Sequence, residues 1–244
     1  MDAFIEACFK AAIEVEAFIR STEHHYGCEP QTEGAGGDLS INYDLLAEEI
    51  FVKHLSSFGK ILSEESGSIG EGKDLIIIDP VDGSDNLMSE FPYYGTSIAL
   101  KRDNRTVAGI VCNFANGDCF VRTENEHYRR SLFREDERED VHANIHAKVG
   151  LFEKPGLHPD AARTLMDTGF KFRSPGAVAL SLAYAHSALY MVFVGPMRLY
   201  DVEAGLYLCE DLYTYRSKDI LIVSHNKDVF AKILTIFNLS EASE

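Results

Sequence analysis

The chain has 244 residues, of which 45% are apolar and 25% charged, and its formal net charge is −16. This composition is typical of an ordinary soluble globular protein, and so negative a chain repels nucleic acid and anionic membranes. We therefore expect no nucleic acid and no membrane among its partners. The five cysteines lack CxxC spacing and the N-terminus has no basic region, which predicts free thiols in a cytoplasmic protein.

In the first half of the chain, periodic apolar residues predict helices at residues 3–20 and 43–55, with a glycine-rich loop at 32–37 between them. Apolar runs and alternation predict strands at 38–42, 60–62, 75–78, 94–101, 106–114 and 119–122. Asp103 and Asn104 form the turn between two of these, which predicts an antiparallel pair.

Residues 123–142 are highly charged, which predicts an exposed connection. Its arginines, interleaved with acidic residues 135–137, 139 and 140, are typical of a solvated, salt-bridged helix face: Arg129, Arg130, Arg134 and Arg138. Beyond it we predict strands at 148–152, 190–194 and 220–224, and helices at 158–168, 177–187, 202–211 and 228–237. Mixed strands and helices indicate a layered α/β or α+β architecture, with a lobe boundary near residue 125.

The stretch from Asp74 to Asn86 is the most informative part of the chain. Leu75 to Ile78 predict a buried strand, which delivers Asp79 and Asp82 to its carboxyl end. The Gly-Ser-Asp-Asn that follows can turn the chain and begin a helix with free backbone N–H groups. Two fixed carboxylates beside such N–H groups suit a site that holds a divalent metal and a phosphate together.

Hydrolysis of a phosphate monoester by metal-activated water requires hard oxygen ligands, so further acidic residues should lie near this strand. The candidates on strand ends and turns are Glu64, Glu65 and Asp201, and Asp44 opens a helix. Two aspartates three residues apart at a turn are often only capping residues. The other acids, in this order along the chain, make a functional role for Asp79 and Asp82 the better interpretation. An EF-hand does not fit, because Ser84 stands at the loop position that requires glycine.

Several motifs together resemble the inositol monophosphatase family. They are Ser63-Glu64-Glu65-Ser66-Gly67, Asp79-Pro80-Val81-Asp82-Gly83-Ser84-Asp85-Asn86, Phe91-Pro92, Ser97-Ile98-Ala99-Leu100, Asp38-Leu39-Ser40 with Asp44, and Tyr200-Asp201-Val202-Glu203-Ala204-Gly205. The likeness spans most of the chain and is thin between residues 115 and 170.

The resemblance implies two or three Mg²⁺ ions. Glu65, Asp79 and the Val81 carbonyl would hold the first ion. The second would lie between Asp79, Asp82 and Asp201, and Asp44 with Glu65 would place a third ion or its waters. Glu64 is expected to be a solvent-facing neighbour of Glu65.

The resemblance also implies roles around the phosphate. Gly83 and Ser84 would present N–H groups to it from a helix N-terminus, where the helix dipole favours anions. The Ser84 hydroxyl, paired with Asp44, would orient and deprotonate the attacking water. Asp85 is expected either to contact substrate or to cap the helix.

The sequence departs from the family pattern at several positions. Ser84 stands where the family has Thr, Tyr200 where it has Trp, and Glu203 where it has Ala. The usual Glu-Ala-Gly-Gly is replaced by residues 211–214, and the second half is short. Arg198 is expected to be a surface residue, with a substrate contact as the alternative.

The resemblance implies an αβαβα sandwich of the inositol monophosphatase and fructose-1,6-bisphosphatase type. It would be one domain, 1–244, with a metal and phosphate lobe at 1–125 and a substrate lobe at 126–244. The implied activity is magnesium-dependent hydrolysis of a small sugar or inositol phosphate, and a homodimer is expected from the family. Asn86 favours the sugar phosphatases over phosphoadenosine-phosphate phosphatases. Fructose-1,6-bisphosphatase, phosphoadenosine-phosphate phosphatase and a non-catalytic metal-binding regulatory protein are the alternatives.

Overall fold

Helices and strands alternate along the chain in a computed structural model that describes residues 1–37, 39–134 and 138–240. The helices are α1 (Asp2–Ser21), α2 (His24–Gly27), α3 (Asn42–Leu55), α4 (Ser84–Met88), α5 (Pro159–Asp167), α6 (Val178–Ala183), α7 (Leu199–Leu208) and α8 (Lys227–Ile236). Short 3₁₀ helices span Pro155–Leu157 and Tyr184–His186. Within the described ranges, no helix combines the length and the apolar character that a bilayer span requires.

The strands form a small hairpin and two larger sheets. In chain order they are β1 (Pro30–Glu33), β2 (Leu39–Ile41), β3 (Lys60–Ser63), β4 (Gly67–Ile69), β5 (Leu75–Asp82), β6 (Gly95–Arg102), β7 (Arg105–Asn113), β8 (Asp118–Thr123), β9 (His127–Ser131), β10 (Arg138–Asp140), β11 (Val149–Glu153), β12 (Lys171–Arg173), β13 (Met191–Val194), β14 (Tyr213–Arg216) and β15 (Ile220–Ser224). The first large sheet has the order β10-β9-β8-β7-β6-β5-β3-β4, and the second has the order β12-β11-β13-β15-β14.

Five layers stack in the order helix, sheet, helix, sheet, helix. Helices α1 and α3 pack on one face of the first sheet, and α6 and α7 pack on its other face. The opposite side of α6 and α7 meets the second sheet, whose outer face is covered by α5 and α8. Each interface is apolar because every sheet must bury its faces against a neighbouring layer. The predicted αβαβα sandwich is confirmed.

Strand β5 is buried along most of its length and carries two acids to one side of the fold. Asp79 pairs with Ser97 and Asp82 pairs with Gly95, so β5 advances by three residues over a length in which β6 advances by two. Side chains three apart would face opposite sides of a regular strand, and this bulge brings both carboxylates to the same cleft. Pro80, which lacks an N–H, is tolerated at such an irregularity.

The charged segment 123–142 is not the exposed connection that the sequence predicts. Its described part contains β9 and β10, which extend the first sheet past the predicted lobe boundary near residue 125. Arg129, Arg130 and Arg138 lie on these strands rather than on a helix face. Residues 135–137, which belong to the same prediction, lie outside the described residues, as does Asp38 of the strand predicted at 38–42. The division into lobes stays a prediction.

The cysteines also differ from expectation. Cys112 on β7 and Cys119 on β8 are direct cross-strand partners and are joined by a disulfide. The prediction of five free thiols is therefore wrong for this pair, because the strand register brings together two residues that lack CxxC spacing. Cys8, Cys28 and Cys209 are free thiols, and burial raises the pKa of the Cys8 thiol.

Candidate active site

A cleft of about 670 Å³ opens at the carboxyl end of β5 and takes its walls from both halves of the chain. Every residue predicted from the sequence to serve the site lines it: Asp44, Glu65, Asp79, Val81, Asp82, Gly83, Ser84, Asp85 and Asp201. Four further residues line the cleft: Ser40 and Lys154, which the sequence did not single out, and Glu64 and Arg198, which it expected at the surface. The fold therefore gathers the predicted residues, and their roles remain proposals.

Three buried carboxylates form the centre of the cleft. Oxygen atoms of Glu64, Asp79 and Asp201 all lie within 4.8 Å of one another. Strands β3 and β5 are parallel neighbours with Ser63 opposite Ile78, so the residues that follow, Glu64 and Asp79, meet at the same sheet edge. Burial, and then the charges of Glu64, Asp82 and Asp201, raise the pKa of Asp79.

The expectation that Glu64 faces solvent is wrong, since its side chain is buried in this cluster. Glu65 lies at the cleft wall instead, where the Ser40 hydroxyl donates a hydrogen bond to its Oε2. Burial raises the pKa of Glu65 to about 7, and the Ser40 hydrogen bond opposes that rise. Of the two glutamates, Glu64 is thus the one that is placed to share an ion with Asp79 and Asp201.

A glycine-rich loop closes over both glutamates. The backbone N–H of Gly36 donates to the Glu64 carbonyl over 2.7 Å, and that of Ala35 donates to the Glu65 carbonyl over 2.7 Å. A Cβ atom on Gly36 would lie 2.7 Å from Cγ of Glu64. The absence of a side chain therefore lets this loop approach the carboxylates.

Ser84 and Asp44 form the predicted pair. The Ser84 hydroxyl lies 2.7 Å from Oδ1 of Asp44 and 2.9 Å from the Val81 carbonyl oxygen, and its single proton can serve one of them at a time. The other Asp44 oxygen accepts from the Ile41 N–H over 2.9 Å, which fixes the carboxylate at the start of α3. Burial raises the pKa of Asp44 to about 6.

Asp82 ties the second half of the chain to the cleft. Its two oxygens accept hydrogen bonds from the backbone N–H groups of Val178 and Leu180, over 3.1 and 3.0 Å. These groups belong to the N-terminus of α6, where a negative charge is favoured. Burial is the main cause that raises the pKa of Asp82.

Gly83 makes the turn between β5 and α4. Its φ of +90° lies in the left-handed region, and a Cβ atom there would lie 3.0 Å from the Tyr93 carbonyl oxygen. Asp85, next in the helix after Ser84, is exposed at the cleft. The Asn86 side chain has a structural role, because its amide donates to the backbone carbonyls of Tyr93 and Pro175, over 2.7 and 2.8 Å.

Arg198 enters the carboxylate cluster, contrary to the expectation of a surface residue. Its Nε and Nη2 each lie 3.1 Å from an oxygen of Asp201, and its Nη1 lies 2.7 Å from Oε1 of Glu64. Arg198 and Asp201 are three residues apart at the start of α7, a spacing that places side chains on one helix face. That spacing is the signal in the sequence that could have identified the pair.

Glu203, which stands in the motif Tyr200 to Gly205 where the family has Ala, does not disturb the site. Its carboxylate pairs with the Lys101 ammonium and accepts from the Thr106 hydroxyl over 2.6 Å, and it is absent from the cleft lining. The helix α7 turns Glu203 toward β6 and β7 while it turns Asp201 into the cleft. The charge balance of the carboxylate cluster is therefore unchanged by this substitution.

The donor set fits a hard divalent cation. Among the described residues it consists of the carboxylate oxygens of Glu64, Asp79 and Asp201, without sulfur or imidazole, and Val81 lines the same cleft. Mg²⁺, Mn²⁺ and Ca²⁺ prefer such ligands, and burial of several like charges favours binding of a cation between them.

Comparison with known proteins agrees with this geometry. A family model described as the inositol monophosphatase family matches residues 1–212. The chain belongs to the inositol monophosphatase family. Members of this family are metal-dependent phosphatases.

Similar proteins carry several names. The "Nus factor SuhB" of Haemophilus influenzae is 33% identical over 154 residues, which cover 59% of this chain and 57% of that protein. The chain thus matches little more than half the length of this relative. A "Fructose-1,6-bisphosphatase/inositol-1-monophosphatase" of Methanothermobacter thermautotrophicus is 27% identical over 201 residues, 73% of this chain and 70% of that protein.

Several solved structures share the fold. The extragenic suppressor protein suhB of Bartonella henselae superposes with a TM-score of 0.80 at 21% identity, over 96% of this chain and 98% of its own. An IMPase of Thermotoga maritima has a TM-score of 0.76 at 19% identity, over 98% and 97% of the two chains. At these identities the likeness shows the layered fold.

Proposed function

We propose that this chain is a divalent-metal-dependent phosphomonoesterase that hydrolyses a small sugar or inositol phosphate, with Mg²⁺ as the cofactor. The observation that carries the proposal is the Ser84–Asp44 pair, 2.7 Å apart, in the same cleft as the Glu64, Asp79 and Asp201 carboxylates. A proton-accepting pair beside a cation site is an arrangement that promotes attack of water on phosphorus.

The chain's own residues supply the proton path. A water beside Ser84 donates to the hydroxyl oxygen, and the hydroxyl passes its proton to Asp44. The raised pKa of Asp44, about 6, makes this carboxylate a stronger base than an exposed aspartate while it is still largely ionised at neutral pH. The water oxygen then bonds to phosphorus as the ester P–O bond breaks, and the leaving alkoxide takes a proton from solvent and departs as the free alcohol.

The cations would be held by Glu64, Asp79 and Asp201, with the Val81 carbonyl and Asp82 beside them. When bound, they neutralise the phosphate dianion and lower the pKa of water. Gly83 and Ser84 line the cleft at the start of α4, and we propose that their backbone N–H groups donate to a phosphate oxygen there.

We propose a small, polar substrate for the cleft. Its rim carries Lys154 and the exposed Asp85, and its wall includes Gly176 and Val178 from the second half of the chain. The names of similar proteins include inositol-1-monophosphatase, fructose-1,6-bisphosphatase and, in Methanococcus maripaludis, NADP phosphatase. These names define the substrates that a test should compare.

The first test measures phosphate release with Mg²⁺ from inositol 1-phosphate, fructose 1,6-bisphosphate, NADP⁺ and 3′-phosphoadenosine 5′-phosphate. We expect turnover of an inositol or sugar phosphate, and its loss in Asp82→Asn and Asp201→Asn. Asp74→Asn is the matched control, because Asp74 lies at the opposite end of β5 and pairs with Arg102. Activity of both cleft variants at the level of the unmodified chain would refute the proposal, as would release from none of the four esters.

The second test addresses the proton path. Ser84→Ala removes the hydroxyl that bridges water and Asp44, and we expect kcat to fall by roughly 10²–10⁴. Ser84→Thr keeps the hydroxyl and should retain most of kcat. Equal kcat values for the alanine variant and the unmodified chain would show that Ser84 does not carry the proton.

A further inference from the structure

Arg198 and a divalent cation would need the same carboxylate oxygens. The guanidinium engages both oxygens of Asp201 at 3.1 Å and Oε1 of Glu64 at 2.7 Å. These are two of the three carboxylates whose oxygens cluster within 4.8 Å. A planar guanidinium that makes two hydrogen bonds to one carboxylate is a well-ordered cation rather than a diffuse countercharge.

Burial makes this competition strong. The side chains of Glu64 and Asp201 are only 11% and 7% exposed, so water screens their charges little. The Arg198 side chain is 32% exposed and lines the cleft. It can therefore leave the carboxylates without being forced through the packed interior.

We propose that Arg198 is a resident cation of the metal site, which a divalent ion displaces and which thereby lowers the affinity of the empty cleft for metal. The inference rests on the metal-dependent function proposed above, and it concerns the order in which charges enter the cleft. Once displaced, the guanidinium remains at the cleft and meets the phosphate dianion, which offers the same pair of acceptor oxygens as a carboxylate. Metal and phosphate binding are then coupled through one side chain.

This coupling has a definite sign. Without phosphate, a bound ion breaks the contacts of the Arg198 guanidinium with Glu64 and Asp201, which opposes binding of the ion. With phosphate, the released guanidinium gains a new anionic partner, so the same ion binds more tightly. By linkage, metal must strengthen phosphate binding by the same factor.

The experiment measures Mn²⁺ binding directly, from the electron paramagnetic resonance signal of the free ion, with and without inorganic phosphate. The proteins are the unmodified chain, Arg198→Gln, Arg198→Lys and the control Arg102→Gln. Arg102 also binds a carboxylate, that of Asp74, but lies outside the cleft.

We expect Arg198→Gln to bind Mn²⁺ at least roughly tenfold more tightly without phosphate, Arg198→Lys to be intermediate, and Arg102→Gln to match the unmodified chain. A gain in affinity cannot come from misfolding. Phosphate should raise Mn²⁺ affinity in the unmodified chain and do so much less in Arg198→Gln.

Unchanged or weaker Mn²⁺ binding by Arg198→Gln would overturn the inference, and so would absence of Mn²⁺ binding by every variant. The weaker-binding result would instead mean that Arg198 holds Glu64 and Asp201 in place for the ion. The readout does not require turnover. If no ester is hydrolysed but Mn²⁺ binding follows the expected order, the proposed function fails while the exchange of cations stands.

Discussion

Glu64 and Glu65 are adjacent in the chain yet lie in different surroundings. Glu64 is buried with Asp79 and Asp201, while Glu65 accepts from the Ser40 hydroxyl at the cleft wall. Sequence motifs identified the other acids because each follows a strand or opens a helix. They could not separate two neighbouring glutamates, since the choice depends on the parallel register of β3 and β5 and on the glycine loop above.

The two glutamates can be separated by measurement. Glu64→Gln removes a charge from the carboxylate cluster, so we expect Mn²⁺ affinity to fall by roughly tenfold or more. Glu65→Gln should weaken binding by a smaller factor, because Glu65 lies outside that cluster. Calorimetric titration of both variants with Mn²⁺ gives the comparison. A larger loss in Glu65→Gln would restore Glu65 as the principal ligand.

At the scale of elements, local sequence patterns predicted most of the helices and strands. They failed for strands that depend on contacts with residues far away in the chain. Strands β9 and β10 carry charges on consecutive residues, which resembles a solvated segment. In the structure, the Arg130 guanidinium stacks 3.7 Å over the Phe9 ring and pairs with Glu6 at 3.1 Å, both on α1. Contacts more than a hundred residues apart thus stabilise a strand whose own sequence does not specify it.

The turn between β5 and α4 is a place where a local requirement has a measurable effect. Gly83→Ala must adopt φ of +90° and brings Cβ to 3.0 Å from the Tyr93 carbonyl oxygen. We expect the free energy of unfolding to fall by about 2–4 kcal/mol, measured by urea denaturation. Gly70→Ala has a similar φ, +70°, but open space around it, and should lose about 1 kcal/mol. Equal losses in the two variants would mean that the close approach at Gly83 is relieved by relaxation.

At the scale of the whole molecule, a polar cluster connects the first sheet to the second half of the chain. His186 Nε2 lies 3.1 Å from Asp211, its ring contacts the His127 ring at 4.8 Å between centroids, and Arg122 reaches both Asp211 and the Leu208 carbonyl. Residue 211 belongs to the segment that replaces the family's Glu-Ala-Gly-Gly. The sequence marked the replacement, but only the fold shows that it forms this connection.

Acid should weaken the connection. Burial, and then the neighbouring His186 and Arg122 charges, lower the pKa of His127 to about 4. Between pH 6.5 and 4, His127 is therefore protonated in the unfolded chain but not in the folded chain. The free energy of unfolding falls as the pH falls through this window. Between pH 8 and pH 5, the free energy of unfolding of His127→Gln should fall by roughly 1 kcal/mol less than that of the unmodified chain. This figure allows for solvent screening of a half-buried side chain.

Urea denaturation at the two pH values measures this difference. His25→Gln is the control, because His25 is exposed on α2, which packs against α3 rather than against the cluster. It should follow the unmodified chain at both pH values. An identical loss of stability for His127→Gln and the unmodified chain would show that another group governs the acid side.

Repulsion among the carboxylates of the cleft lowers the stability of the whole fold. Asp79 is buried next to Glu64, Asp82 and Asp201, and their mutual repulsion opposes folding when no divalent cation is bound. Asp79→Asn removes one of these charges and keeps an oxygen that can accept from the Val81 N–H, as Asp79 does over 3.0 Å. In EDTA we expect this variant to be more stable than the unmodified chain by about 0.5–2 kcal/mol.

With Mg²⁺, the unmodified chain should become more stable than Asp79→Asn. An ion that binds only the folded chain stabilises it by about 2.7 kcal/mol at a concentration of 100 times its Kd, and Asp79→Asn should lose most of that gain. Denaturation with EDTA and with saturating Mg²⁺ provides the four free energies that are needed. If Asp79→Asn were the less stable protein in EDTA, its carboxylate would be part of the framework of the fold. The predicted crossing, by contrast, would show that stability is sacrificed at this cleft for the binding of metal.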